Sequence, residues 1–119
     1  MLLFVCHANI CRSAMAERLA RQDLGPTAVT SAGTHARTGE PMHPGAAQVL
    51  RELGADATDF ASRALTAELI TRASLILTAT REQRAFCVRM APLALRRTFT
   101  IRQFFRMYSW ISARIQCMA

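Results

Sequence analysis

The chain has 119 residues, of which 51% are hydrophobic, and a formal net charge of +7 at pH 7. This length supports one small domain, which we place at residues 1–119, and the hydrophobic content excludes a disordered chain. Every apolar run is far shorter than the ~20 residues of a membrane span, and no basic segment precedes the first run, so the sequence predicts neither a membrane partner nor a signal peptide. A cytoplasmic location is therefore expected, and secretion without a signal peptide stays open.

Arginine supplies all fifteen basic residues, and no lysine is present. A positive charge suits an anionic substrate. Nucleic-acid binding is the competing interpretation, but the arginines are dispersed and no base-reading motif is present, so no nucleic-acid partner is predicted. The four cysteines lack a CxxC spacing, and His7, His35 and His43 lack the spacing of metal ligands. We therefore expect free thiols, no metal and no cofactor.

The first half of the chain predicts two strands and two helices. The strands are expected over residues 1–5 and 27–32. The first helix is expected from Ser13 to about Asp23, and the second helix is expected to end at Gly54. Ser13 is a residue type that caps helices, and Gly25-Pro26 ends the first helix. The second helix has its apolar positions on one face, at Ala46, Val49, Leu50 and Leu53.

The second half continues the alternation. It predicts a short helix from a Thr66 cap to about Arg72, a strand over residues 74–79, a helix from Thr80 to before Pro92, a strand over residues 97–101 and a tail helix. Thr80 and Gln83 form a capping-box pattern. The third strand is apolar along its length, which is typical of a central parallel strand. The tail helix carries an apolar stripe at Phe104, Tyr108, Ile111, Ile115 and Met118.

Strands that alternate with helices predict an α/β fold. We expect a three-layer α/β/α sandwich around a four-stranded parallel sheet. In such sheets, ligands bind at the carboxyl ends of the strands. Cys6 lies at that end of the first strand, so a phosphate-binding loop is expected to follow it.

The octet Cys6–Ser13 lies between the first strand and the first helix. A loop in this position turns successive backbone N–H groups inward, and these donors bind an anion together with the helix N-terminus. The same field favours the thiolate form of Cys6, which makes it a nucleophile. Arg12 offers a planar fork to two phosphate oxygens, Ser13 can donate to the thiolate, and Asn9 suits a left-handed turn. The alternative, an apolar strand cysteine beside a surface arginine, is disfavoured by the placement between strand and helix.

With the spacing Val5-Cys6-x-x-Asn9-Ile10-Cys11-Arg12-Ser13-x-Met15-Ala16-Glu17, the chain resembles the low-molecular-weight protein tyrosine phosphatases, whose fold the thioredoxin-coupled arsenate reductases share. Later segments also match the family pattern, at residues 31–34, 39–47, 62–65 and 75–78. The resemblance covers about residues 1–105, so residues 106–119 form an atypical tail. It implies a bacterial hydrolase that removes phosphate from phosphotyrosine.

The resemblance assigns roles to the residues of the loop. It implies that Cys6 forms a phosphocysteine, that Arg12 binds the phosphoryl group, and that hydrogen bonds from Asn9 and Ser13 support the loop. Cys11 matches a second loop cysteine that forms a reversible disulfide with the nucleophile, and the alternative for Cys11 is a small buried residue. The catalytic set is then Cys6, Arg12 and Ser13, and the substrate-binding set is His7, Ala8, Asn9, Ile10, Cys11 and Arg12. The implied partners are a phosphotyrosine protein or a small phosphate ester, with inorganic phosphate as product or inhibitor.

The chain departs from the family pattern at several positions. Ala8 replaces the usual loop glycine, Ala14 replaces the usual proline at the first helical turn, and Phe60 stands near a position where many members have histidine. Family members also carry an Asp-Pro segment beyond the fourth strand, whose aspartate protonates the leaving phenol. Here no Asp or Glu occurs after Glu82. No general acid is therefore predicted, and a truncation or frameshift is the expected cause.

Three functions stay open. The leading one is a protein-tyrosine phosphatase that the missing aspartate impairs. The second is a non-catalytic protein that binds phosphate or phosphotyrosine. The third is an arsenate reductase, although that chemistry needs a further cysteine pair and only Cys87 lies in the expected region.

Two other features have two possible outcomes each. His7 and His35 are expected near the pocket mouth or as exposed loop histidines. The tail stripe is expected to cover a sheet face or to stay exposed and drive dimerisation.

Overall fold

Four parallel strands form the centre of the molecule, in the spatial order β2-β1-β3-β4. The computed structural model describes residues 1–118, without the side chains of residues 115, 117 and 118. The strands are β1 (Leu2–Cys6), β2 (Val29–Gly33), β3 (Leu75–Thr78) and β4 (Thr98–Thr100). Val5 pairs with Thr78, and Thr78 pairs with Thr100, so β1, β3 and β4 end at the same edge of the sheet. The predicted four-stranded parallel sheet is confirmed.

Within residues 1–118, helices connect and cover the strands. They are α1 (Arg12–Leu24), α2 (Pro44–Glu52), α3 (Ala67–Arg72), α4 (Arg81–Met90) and α5 (Ile101–Met118), and a 3-10 helix over Pro92–Arg97 that the sequence did not predict. The predicted Thr66 cap is confirmed, and the predicted Thr80–Gln83 capping box is complete.

The helices lie on both faces of the sheet, because successive side chains of a strand point to opposite sides. On one face, Leu3 and Val5 belong to a buried cluster with residues of α3 and α4. On the other face, Phe4 and Leu77 pack with residues of α1 and with Phe104 of α5. The predicted three-layer α/β/α sandwich is confirmed. Among the described residues, no helix combines the length and the apolar character needed to cross a membrane.

The expected cap of α1 is wrong. Cys11 occupies the N-cap position without a side-chain hydrogen bond, and the helix begins at Arg12. Ser13 lies inside the first turn, where its hydroxyl contacts Cys6 and Asn9 rather than the helix backbone.

The apolar face expected for α2 is only half buried. Ala46 and Leu50 are buried, whereas Val49 and Leu53 are 41% and 58% exposed. Since α2 packs mainly against α1, a narrow stripe of its surface is covered.

The tail helix α5 begins directly after β4. Phe104 packs on Phe99, with ring centroids 6.2 Å apart. Farther along the stripe, Tyr108 and Ile111 are 65% and 47% exposed. The side chains of the last two stripe positions, Ile115 and Met118, lie outside the described residues. The expectation that the stripe covers a sheet face is therefore wrong beyond Phe104, and the alternative of an exposed apolar face agrees with the described side chains.

Candidate active site

The octet that follows β1 lies at the carboxyl edge of the sheet. Cys6 ends β1 and is buried. The turn that follows β2 holds the loop through its backbone, because Thr34 N–H donates to the carbonyl of Cys6 at 2.9 Å and His35 N–H donates to the carbonyl of His7 at 2.8 Å. The loop then runs into the N-terminus of α1, as the sequence predicted.

Polar groups of the loop point at the thiol of Cys6. Its Sγ lies 2.8 Å from Oγ of Ser13, and the backbone N–H of Asn9 donates to it at 3.3 Å. The sulfur therefore lies where the loop donors and the start of α1 converge.

Asn9 has the left-handed conformation that the sequence predicted, with a φ of 57°. Its side chain is fully buried. Its Nδ2 donates to Oγ of Ser13 at 2.8 Å and to Oγ of Ser31 at 2.9 Å, and its Oδ1 accepts from the backbone N–H of Arg63 at 2.8 Å. These contacts hold the Asn9 side chain in place, although Phe60 stands near the position where many family members have a supporting histidine.

Glu17 extends this network from the first helix. Its buried carboxylate accepts from Oγ of Ser31 at 2.9 Å and from Nε of Arg18 at 2.9 Å, and Arg21 lies 3.7 Å away. Sequence reasoning missed this role. A signal was present, because Glu17 lies one turn after Ser13 and so faces the same side of α1.

Gly33 allows β2 to approach the loop closely. A Cβ at this position would lie 2.6 Å from the carbonyl oxygen of His7 and 2.9 Å from the backbone nitrogen of Asn9. Both of these atoms belong to the backbone, so they cannot move aside cheaply. Sequence reasoning placed Gly33 in a matching segment but gave it no role in the site.

The other residues of the predicted substrate-binding set lie along the outer part of the loop. Ala8 and Ile10 are partly exposed, and Cys11 and Arg12 are exposed. Ala8 does not have a positive φ, so the loop avoids a glycine-only conformation there. The alternative that Cys11 is a small buried residue is wrong.

Two exposed histidines lie side by side, His7 in the loop and His35 in the turn after β2. The rings of His7 and His35 stack with centroids 4.5 Å apart, and His35 lies 5.8 Å from the ring of Phe86. Together with Glu82 they line a cavity of about 190 Å³ between the loop and α4. Among the side chains that the structure describes, no group of three or more His, Cys, Asp or Glu is placed to hold a metal ion.

Comparison with known proteins agrees with this geometry. Residues 1–113 match the family described as low molecular weight phosphotyrosine protein phosphatase. The chain belongs to the low molecular weight phosphotyrosine protein phosphatase family.

The relatives of this family member have names that refer to different substrates. The probable low molecular weight protein-tyrosine-phosphatase EpsP of Ralstonia nicotianae is 45% identical over 76 residues, which are 64% of this chain and 52% of EpsP. The solved structure of the YwlE arginine phosphatase from Geobacillus stearothermophilus has a TM-score of 0.80 at 38% identity, over 87% of this chain and 67% of YwlE. An arsenate reductase of Bacillus subtilis is 34% identical over 79 residues, which are 66% of this chain and 55% of the reductase. The chain thus spans about half the length of the curated relatives EpsP and the reductase.

The segment after β4 is helical in this family member. The first turn of α5 follows Thr100, whose N–H donates to Oε1 of Gln103 at 2.9 Å and whose Oγ1 accepts from the N–H of Gln103 at 3.0 Å. No Asp or Glu occurs among residues 83–119. The described edge of the sheet therefore presents Arg102 and Arg106 in this region rather than a carboxylate.

Proposed function

We propose that the chain hydrolyses phosphotyrosine through a phosphocysteine intermediate. The observation that carries this proposal is the convergence of Asn9 N–H and the Ser13 hydroxyl on Sγ of Cys6 at the base of the loop. The sulfur attacks phosphorus and the bond to the tyrosyl oxygen breaks. Water then attacks the phosphocysteine, which releases inorganic phosphate and returns the thiolate.

Arg12 and Ser13 have separate roles in this mechanism. The guanidinium of Arg12 is exposed at the start of α1, so it is free to bind two phosphoryl oxygens and to stabilise the charge that spreads over them in the transition state. The Ser13 hydroxyl stabilises the thiolate before attack and again when it leaves. The loop backbone from His7 to Arg12 supplies the remaining donors to the phosphate.

Departure of the phenol is the weak step, because no carboxylate follows β4 among the residues present. General acid catalysis contributes roughly 10²–10⁴-fold in enzymes. An activated phenol leaves without protonation, whereas the phenol of tyrosine needs it more. We therefore expect slow cleavage of p-nitrophenyl phosphate and far slower cleavage of phosphotyrosine.

Steady-state kinetics on both esters test this proposal. The Cys6→Ser variant should have no turnover, and activity that survives would remove Cys6 from the mechanism. Equal rates on both esters, at the level of family members, would contradict the argument about the missing acid.

A non-catalytic protein that binds phosphate or phosphotyrosine is the second candidate, and the absence of Asp and Glu after residue 82 favours it. The loop would then hold the ester without cleaving it. Tight binding of vanadate without a burst of phenol release in rapid-mixing experiments would favour this function over hydrolysis.

Arsenate reduction is a third candidate, since the loop would bind arsenate as it binds phosphate. That reaction needs further cysteines that relay a disulfide. Cys87 is fully buried inside α4, and this burial raises the pKa of its thiol to about 11. Both properties oppose a relay role, and arsenate-dependent oxidation of thioredoxin is the assay that tests it.

We also propose that Cys11 protects the nucleophile by a reversible disulfide. Peroxide oxidises the Cys6 thiolate to a sulfenic acid, and the exposed thiol of Cys11 displaces water to form the disulfide. Inactivation by peroxide should be reversed by a thiol reductant, and in the Cys11→Ser variant this recovery should be lost.

The proposed location is the cytoplasm, where reducing conditions keep both thiols free.

The exposed apolar face of α5 is proposed to pair two copies of the chain. Met107, Trp110 and Ile111 lie on one side of α5, at helical positions i, i+3 and i+4, and are 45%, 61% and 47% exposed. Pairing would remove their apolar surface from water. Sedimentation velocity at micromolar concentration should detect a dimer that the double change Trp110→Ser and Ile111→Ser dissociates. Leu93→Ser changes an exposed leucine outside α5 and should leave the dimer intact. A wild-type monomer would contradict the proposal.

A further inference from the structure

A basic groove lies beside the active-site loop. It is a cavity of about 220 Å³ at the edge where β3 and β4 end, and its walls include Thr80, Thr100 and three arginines, Arg81, Arg102 and Arg106. Arg102 and Arg106 lie one turn apart on α5, so their side chains share one face of that helix. All three arginines are exposed, and none forms an ion pair within the described part of the chain.

No acidic residue lines this groove. Residues 83–119 contain no Asp or Glu. Glu82 follows Arg81 in sequence but lines the separate cavity beside His7. The groove therefore has an uncompensated positive charge that only a ligand or solvent ions can neutralise.

The groove is within reach of a substrate held in the loop. Ala79 lines it and donates its N–H to the carbonyl of Val5 at 2.9 Å, so the groove adjoins the strand that ends in Cys6. Neighbouring strands lie ~4.8 Å apart, which places the end of β4 about 10 Å from the end of β1. An extended peptide advances about 3.4 Å per residue, so this distance corresponds to about three residues.

We propose that this groove binds acidic side chains that lie about two to four residues from the phosphotyrosine of a substrate protein. The inference rests on the proposed hydrolysis of phosphotyrosine and adds a sequence preference to it. Arginine pairs with carboxylates through two parallel hydrogen bonds, which suits this recognition. Each exposed pair changes affinity by roughly 1.5- to 5-fold, so two or three pairs give about a tenfold preference for acidic peptides.

Fluorescence anisotropy with the full-length Cys6→Ser chain tests the preference without turnover. The probes are a labelled phosphotyrosine peptide with Glu at the second to fourth positions on each side, the same peptide with Gln, and the Glu peptide without phosphate. We expect the Glu phosphopeptide to bind about tenfold more tightly than the Gln phosphopeptide. Adding Arg102→Gln and Arg106→Gln should reduce this ratio to about twofold or less.

The matched control carries Arg96→Gln and Arg114→Gln, which remove the same charge outside the groove. It should keep the tenfold ratio, and a loss equal to that of the groove variant would overturn the inference in favour of general charge attraction. Phosphate-dependent binding with no effect of Arg102 and Arg106 would overturn the inference and leave the proposed function standing. Binding that depends on these arginines but not on phosphate would support the groove and contradict the proposed function. Binding that depends on neither would overturn both.

Discussion

Asn9 fixes the shape of the loop around the Cys6 thiol. Its left-handed backbone, with a φ of 57°, costs a residue with a side chain roughly 1–2 kcal/mol. Hydrogen bonds from its side chain to Ser13 and Ser31, and from the backbone N–H of Arg63, offset that cost. Among the described residues, no buried side-chain nitrogen or oxygen lacks a partner. The loop is therefore organised before any phosphate binds.

The Ser13→Ala change tests the contact with sulfur. It removes the hydroxyl that lies 2.8 Å from Sγ of Cys6. Because hydrogen bonds to charged groups contribute roughly 1.5–3 kcal/mol, kcat on p-nitrophenyl phosphate should fall about 10- to 100-fold. Steady-state kinetics measure this fall. Ser74→Ala is the control, since its exposed hydroxyl accepts from the N-terminus at the opposite edge of the sheet. An unchanged kcat in Ser13→Ala would contradict a role for the hydroxyl in the reaction.

The Gly33→Ala change tests the close approach of β2 to the loop. The added Cβ would meet the carbonyl oxygen of His7 at 2.6 Å, and forced contacts of this kind cost roughly 1–3 kcal/mol. We expect a lower melting temperature and about tenfold weaker binding of vanadate. Gly45→Ala is the matched control, because its Cβ would meet only the His43 side chain, at 3.2 Å. If Gly33→Ala bound vanadate as tightly as the control, the loop would not depend on this glycine.

At the scale of elements, caps decide where the last two helices begin. Thr80 and Gln83 exchange hydrogen bonds at the start of α4, and Thr100 and Gln103 do the same at the start of α5. These two starts lie side by side at the carboxyl edge of the sheet, since β3 pairs with β4. The caps therefore fix the position of Arg81 and Arg102 beside the loop.

Removing the Thr80 cap should destabilise the protein. Thr80→Ala deletes the oxygen that accepts from the N–H of Gln83, and loss of a helix cap costs about 1 kcal/mol. Urea unfolding measures this cost as a lower midpoint. The control is Thr71→Ala on α3, which changes an exposed helical threonine and should be neutral or slightly stabilising because alanine favours helix. A drop in Thr80→Ala no larger than in the control would show that the cap contributes little.

The elements were predictable from the sequence because their signals are local. Apolar runs indicated the strands, and the capping-box pattern of Thr80 and Gln83 indicated the start of α4. The same signal at Thr100 was missed because residues 97–101 were assigned to a strand, although β4 ends at Thr100. The 3-10 helix over Pro92–Arg97 has no comparable periodic pattern. Boundaries where a helix follows a strand directly are thus the least visible from sequence.

The site was predictable only in part, because some of its contacts join distant segments. Cys6 and Asn9 stand in a single local motif, so both were found. Ser31 and Arg63 reach Asn9 from other segments of the chain, and Gly33 matters only through the space that it leaves for the loop. Pattern and spacing do not encode such tertiary partners, which depend on how β2 and the residues before α3 pack against the loop.

At the scale of the whole molecule, α5 gives the chain an elongated form. The principal extents are 46 × 36 × 23 Å, and an 18-residue helix alone is about 27 Å long. Among the side chains of α5 that the structure describes, Phe104 near its start packs on the sheet. The compact part of the molecule is therefore held by the sheet and by α1 to α4, and its stability should follow the core between them.

The alkaline stability of the molecule should depend on the buried thiol of Cys87, which belongs to that core. Burial raises its pKa from 9.0 to about 11. Between these values the unfolded chain releases the proton while the folded chain keeps it, so stability falls as pH rises through this range and is unaffected by this thiol below pH 9.

The urea midpoint should therefore decrease from pH 9 to pH 11 in the wild type. The Cys87→Ala variant should start from a lower midpoint, because a buried side chain is shortened, and should have a shallower decrease. Cys11→Ala removes an exposed thiol and should keep the wild-type slope. Equal slopes in Cys87→Ala and the wild type would show that another group controls alkaline unfolding.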